Sequence, residues 1–229
     1  MSFLKEQSIR DAIVVHVVFA VMAAAVVLLP VTAAVGWKLL LLVIVYNVMI
    51  PVVGYLRRHL DWLGIWFFVF LISIMQVVPD WFLSAQLDVL VFPVDGSPMV
   101  GVVPLYMAGL WSIPLFVLVY VGCRIEEKRS QVLSLAVVML LSFVTFWLAE
   151  ETMWMLPSWH AQNVATIGHV ALYIIGPEVL LGASAYTLYA LVRESSHWRK
   201  FFWAYITMVI YLGNVALFYF LIQRILLGA

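Results

Sequence analysis

Charge is what this chain lacks most. Lys, Arg, Asp and Glu supply 10% of its 229 residues while 66% are apolar; soluble domains run closer to about a quarter charged. That balance excludes an ordinary water-soluble globule and a disordered chain. The 12 basic and 12 acidic residues cancel, so no electrostatic footprint exists for nucleic acid. Cysteine is almost missing as well. Cys123 stands alone, cannot form an internal disulfide, and has none of the spacing partners of a zinc or iron–sulfur site; a free buried thiol is the plain reading. No low-complexity stretch, repeated motif or long linker divides the chain, so residues 1–229 read as a single domain whose partner is the lipid bilayer.

What is present is length enough, in apolar runs, to cross that bilayer seven times. A hydrocarbon core about 30 Å thick needs about 20 helical residues, and the runs lie near 12–35, 39–56, 60–82, 100–123, 131–150, 164–192 and 201–223. They are apolar on both parities, which excludes the alternating pattern of a membrane barrel. The predicted fold is therefore all-α, a polytopic bundle of seven transmembrane helices. Basic residues set its orientation, because cytoplasmic loops hold the excess of Lys and Arg. Of the 12, only Lys38 and Arg224 fall opposite a group made of Lys5, Arg10, Arg57, Arg58, Arg124, Lys128, Arg129, Arg193, Arg199 and Lys200. This places the N-terminus in the cytoplasm and the C-terminus outside. A cleaved signal peptide is the rival reading of the first run, which is long for one. The expected location is the inner or plasma membrane of a prokaryote.

Ionisable groups in hydrocarbon are expensive and face the bundle interior or a wet cavity. Glu178 is the strongest candidate, near the middle of the sixth predicted span and directly after Gly176 and Pro177, where proline removes a backbone donor and kinks a helix. Asn47, ahead of Pro51, and Asn214, after Gly213, have comparable predicted depth. The three either converge on a midplane polar site or act as interhelical glue. Nearer the outer surface, Ser73, Gln76 and Asp80 share one helix face. Glu150 and Glu151 end the fifth span, flanked by Trp147 and Trp154. Adjacent helical side chains point about 100° apart, so one glutamate of the pair faces a pocket. His169 is predicted just inside the sixth span. No E-x-x-H or H-E-x-x-H spacing accompanies it, and neither metal nor cofactor is expected. His16 reads as a histidine bonded between helices.

The outer loops 84–99 and 151–163 contain acids, Asp88 and Asp95 among them, and no Lys or Arg. Such a mouth attracts cations, or simply reflects the positive-inside bias. Trp81, Trp111, Trp147, Trp154 and Trp159 gather in the same half, either as an interfacial belt or as walls for a cation or conjugated hydrocarbon. A retinal protein is excluded, since a Schiff-base lysine is absent from residues 201–223.

The outer stretch Phe92-Pro93-Val94-Asp95-Gly96, continuing through Val103-Pro104 to Trp111 and Pro114, resembles multispanning carotenoid-biosynthesis enzymes of the hydratase and lycopene-cyclase type. The paired P-x-E-E signature of the cyclases is replaced after Pro104 by Leu105 and Tyr106, and the tryptophan-glutamate pair of seven-span terpene cyclases is not found. What the resemblance implies is protonation of an isoprenoid double bond by a membrane-embedded carboxylic acid, then capture of the carbocation by water or a neighbouring alkene. On this reading Glu178 or Asp80 is the acid, with Glu150 or Glu151 in support. An apolar small-molecule substrate would be bound by Asn47, Gln76, Trp81, Trp111, Trp147, Trp154, His169 and Asn214. Two other classes stay open: a transporter of a cation or protonated solute through a site of Asn47, Glu178 and Asn214, with helices broken at Pro51 and Pro177, and a membrane subunit without chemistry of its own.

Overall fold

The computed structural model describes residues 2–28 and 33–228, with side chains from residue 6 onward; the side chain of Lys5 and residues 29–32 of the first predicted span lie outside the described residues. The elements are α1 (Ser2–Leu28), α2 (Val35–Leu56), α3 (Leu60–Met75), α4 (Val77–Trp81), α5 (Met107–Leu110), α6 (Ser112–Glu126), α7 (Gln131–Thr152), α8 (Ile175–Val192) and α9 (His197–Tyr219). A π-helical turn, Phe82–Gln86, prolongs α4, and another, Phe220–Leu226, prolongs α9. Among the described residues they make seven helical stretches long and apolar enough to cross a membrane, and the chain is a seven-span membrane bundle. Its outward faces show why water is not the solvent: Val17, Val21, Leu41, Leu140 and Leu217 are all exposed, while the interior holds the large rings of Trp62, Tyr46, Tyr186 and Tyr211. Small residues let the helices approach. A Cβ on Gly122 would strike Tyr186 and Val138, and one on Gly182 would strike Ser142, so α8 lies directly against α6 and α7.

The first predicted span starts earlier than 12, α1 beginning at Ser2, and Val35, its predicted end, opens α2; two other spans start later than predicted. The fourth begins at Met107, not 100, and the sixth at Ile175, not 164. The apolar residues ahead of them form hairpins: β2 (Met99–Val100) with β3 (Val103–Pro104), and β5 (Thr166–Ile167) with β6 (Val170–Ala171). Gly101 and Gly168 sit in these turns at φ of 64° and 61°, a left-handed conformation that glycine takes without Cβ strain. Hydropathy alone does not separate an apolar hairpin from the first turns of a span. The helix breaks inferred at the prolines are corrected too. Pro177 occupies the first turn of α8, where a backbone N–H has no helical partner to lose, and α2 runs uninterrupted through Pro51. Glu178 accordingly lies in the first turn of α8, at the end of the bundle, and not near its midplane.

That end is covered by the long loops. β1 (Leu90–Val91) pairs antiparallel with β4 (His160–Ala161), joining the loop after the third span to the loop after the fifth. Asp88 reinforces the joint, accepting from Gln162 Nε2 at 2.7 Å and Asn163 Nδ2 at 3.1 Å. Asp95 seats the same loop on the start of α2: its backbone oxygen accepts from Gly36 N at 2.9 Å and its carboxylate from Ser97 N at 2.9 Å. Both acids therefore hold the cap together.

The fourth span is irregular between α5 and α6, where Pro114 offers no N–H to the preceding turn. Asn47 mends the gap. Its Nδ2 donates to Val43 O at 2.9 Å and Gly109 O at 3.1 Å. Its Oδ1 accepts from Trp66 Nε1 at 3.2 Å and Ser112 Oγ at 2.8 Å. An Asn47→Leu substitution is expected to cost about 1–3 kcal/mol by stranding these partners, read as a lower thermal midpoint of the detergent-solubilised protein. An unchanged midpoint would show that the joint carries no stability.

Candidate functional site

Beneath the cap lies a chamber of about 440 Å³ with Asp80, Glu150 and Glu178 in its wall. Each carboxyl comes from a different span at the same end of the bundle. Asp80 projects from α4, Glu150 from the last turns of α7, and Glu178 from the first turn of α8. Asp80 and Glu178 are 1% and 3% exposed. The three are close enough for their charges to act on one another. Indole N–H groups hold two of them: Trp111 Nε1 donates to Asp80 Oδ2 at 3.3 Å, and Trp159 Nε1 to Glu150 Oε1 at 2.9 Å. No hydrogen bond from a described residue engages the Glu178 carboxyl, which faces the chamber.

The remaining wall is apolar and aromatic. Trp111, Phe146, Tyr173 and Tyr211 contribute rings, with Leu83, Leu110, Ile113, Pro114 and Val117 between them. Trp111 lies 5.6 Å from Phe146 and 5.8 Å from Tyr211, centroid to centroid. Tyr173 stands just ahead of α8, outside the spans. Burial, and then the neighbouring Glu150 and Glu178, push its phenol well above the ordinary value, so it is a neutral ring and hydroxyl over the accessible pH range. Such a chamber accepts an apolar molecule of modest size and offers carboxyls as the only ionisable groups besides phenols. Ring faces beside it can stabilise positive charge on that molecule. Among the described residues no group of three or more His, Cys, Asp and Glu is arranged to hold a metal ion.

Of the candidate residues singled out in the sequence, the fold brings Asp80, Glu150, Glu178, Trp111 and Trp159 to this chamber and takes the others elsewhere. Glu151 turns away, as the helical step from Glu150 requires. Its carboxylate accepts from His169 N at 2.8 Å and lies 3.2 Å from His169 Nδ1. His169 is thus corrected from a span to the β5–β6 turn, where its ring stacks on Trp154 at 4.2 Å. Trp81 lies beside the β2–β3 turn at Gly101, and Trp147 against Phe143. Asn47 is spent on the α5–α6 joint. Asn214 donates only to Ile210 O on its own helix, so the midplane meeting of Asn47, Glu178 and Asn214 is not formed. Gln76 is fully buried one turn before Asp80, outside the chamber wall, with its amide unpartnered. Phe146, Tyr173 and Tyr211 were not legible in advance. Each belongs to an apolar stretch, and only the packing of α7, α8 and α9 singles out which rings turn inward.

Residues 77–222 match the family model described as a domain of unknown function, DUF6989, and the chain belongs to that family. The matched region contains Asp80, Glu150 and Glu178. No curated protein and no solved structure matches the chain. The resemblance of residues 92–114 to carotenoid-pathway enzymes gains no support from these comparisons, and in the fold that stretch builds the cap and the α5–α6 joint.

The opposite facing of the two adjacent glutamates has a measurable consequence. Glu151→Gln is expected to speed amide exchange in the Thr166–Ala171 hairpin while leaving residues 146–150 as protected as before. Faster exchange spreading into α7 would contradict the separation of Glu151 from the chamber.

Proposed function

We propose that this protein is a membrane-embedded enzyme that protonates a carbon–carbon double bond of an isoprenoid-like lipid and guides the resulting carbocation to capture. The observation that carries the reading is the convergence of three carboxyls from three spans on one aromatic-walled chamber. Glu178, whose oxygens are engaged by no donor of a described residue, is the acid. Its proton goes to one alkene carbon through the π pair, leaving the positive charge on the other. Asp80 and Glu150, fixed by Trp111 and Trp159, face that charge with the rings of Phe146 and Tyr211. Water, or a second alkene of the same molecule, then supplies electrons to the cation. The proton released on capture or elimination returns to a carboxylate, so acid and base balance over the cycle. The apolar and aromatic side chains of the wall limit how much water can stand beside the cation.

Two points of placement belong to the same reading. The bundle acts as one domain over residues 1–229. It sits in an inner or plasma membrane with the capped, acidic end outside and the N-terminus in the cytoplasm, because Arg57, Arg58, Arg124, Lys128, Arg129, Arg193, Arg199 and Lys200 all lie at the opposite end. A transporter reading is disfavoured by the geometry, since its midplane site is not formed and neither α2 nor α8 is broken.

The experiment for the chemistry is deuterium incorporation. Full-length protein in nanodiscs, incubated in D₂O with a panel of polyunsaturated isoprenoid alcohols and hydrocarbons, is expected to introduce carbon-bound deuterium detectable by mass spectrometry. Glu178→Gln should lower the rate by about 10²–10⁴-fold and Asp80→Asn or Glu150→Gln by about 10²-fold, whereas Glu151→Gln should retain it. Full exchange in the Glu178→Gln protein would remove the proposal. For orientation, a reporter fused at the C-terminus is expected to be active only outside the cytoplasm; cytoplasmic activity would reverse the assignment.

A further inference from the structure

At the end of the bundle opposite the chamber, a second pocket of about 290 Å³ opens between the starts of α3 and α9 and the ends of α6 and α8. Its lining is polar and its charges are unequally matched. Arg124 is taken up by Asp61 at 2.5 Å and Glu127 at 3.3 Å. Lys200 is not taken up. It is 8% exposed, yet its ammonium makes one hydrogen bond, to Ser195 O at 3.2 Å, and no carboxylate of a described residue lies within ion-pair distance. Arg193 lines the same pocket without an ion pair to any described residue, and Glu194 is the one acid there not engaged by Arg124.

Gly64 keeps the place open. A Cβ there would lie 2.9 Å from Tyr189 Oη and 3.9 Å from Lys200 Nζ, so the missing side chain leaves a hydroxyl and an ammonium side by side facing free space. An ammonium has three donors, and a buried charge without a counter-charge is costly. The unused donors of Lys200, the Tyr189 hydroxyl and the Arg193 guanidinium suit a tetrahedral oxyanion with several acceptor oxygens. The rim identifies the carrier. Leu60, itself part of the pocket wall, is 73% exposed, and Trp198, two residues before Lys200 in the first turn of α9, is 81% exposed; an exposed tryptophan at a helix end belongs at the level where acyl chains meet headgroups. The wall holds three acids and three bases, and the two bases without an ion pair to a described residue, Lys200 and Arg193, supply the positive charge that suits a phosphate-bearing headgroup between spans.

We infer that this pocket binds a phosphate group, presented by a membrane phospholipid, through Lys200, Arg193 and Tyr189. The inference is independent of the chemistry assigned to the chamber. It is tested by native mass spectrometry of the full-length protein in detergent with added phosphatidylglycerol, a galactolipid lacking phosphate, or inorganic phosphate. One phospholipid is expected to be retained, and the galactolipid is not. Lys200→Met should weaken retention at least about tenfold, Lys200→Arg should preserve most of it, and Arg129→Gln, an exposed cation at the same end, should change nothing. Gly64→Ala narrows the cradle without altering charge and should also weaken retention, which decides the matter if Lys200→Met fails to fold. Equal retention of the galactolipid, or undiminished phospholipid binding in both Lys200→Met and Gly64→Ala, would overturn the site. Binding of inorganic phosphate with no lipid retained would overturn the phospholipid as its source.

Discussion

Inside a bilayer a polar group has no water to turn to, so each one must be satisfied by the protein or be enclosed in a cavity of its own. The architecture follows from how this chain meets that demand. Asn47 meets it by spending its whole amide on Val43, Gly109, Trp66 and Ser112, which permits the fourth span to be irregular. The irregularity in turn sets Trp111 at the hinge of α5 and α6, from which its indole reaches Asp80. Asp80, Glu150 and Glu178 meet the demand differently, by sharing a chamber lined with apolar and aromatic side chains. The chamber exists because the cap covers it. That cap is tied down by Asp88 and Asp95, acids that function as loop fasteners and leave the electrostatics of the interior to the three that face inward.

The membrane bundle was legible in the sequence because hydropathy reports solvent directly. The second, third, fifth and seventh spans fall close to their predicted places, while the fourth and sixth start late because two glycine-turned hairpins are as apolar as helix. That single misreading moved Glu178 from the end of α8 to its supposed middle and suggested a partnership with Asn47 and Asn214 that the fold does not make. The facing of Glu150 against Glu151 was legible from helical geometry alone. What was not legible was the convergence itself, since nothing in the spacing of residues on α4, α7 and α8 tells which ends meet, or that Tyr173 and Tyr211 complete the wall.

The two ends of the bundle differ in chemistry as well as in charge. One end presents enclosed carboxyls to an apolar volume, suited to reactions of hydrocarbon. The other presents a buried lysine and a neighbouring arginine at headgroup level, suited to holding a phospholipid in place. Glycine serves both: Gly109 allows Asn47 and Val43 to approach the α5–α6 joint, and Gly64 leaves the space beside Tyr189 and Lys200.

Convergence of carboxyls from three spans on one hollow large enough for a lipid-like molecule is the arrangement on which the proposed chemistry rests. It is tested most directly by an experimental density map of the protein in a lipid nanodisc, at a resolution that shows side chains. Asp80, Glu150 and Glu178 are expected around a single space, with the Trp111 and Trp159 indoles on the first two and elongated apolar density within reach of the third. A map showing Glu178 closed into a dry seam between α8 and its neighbours, with no space connecting it to Asp80 and Glu150, would contradict it.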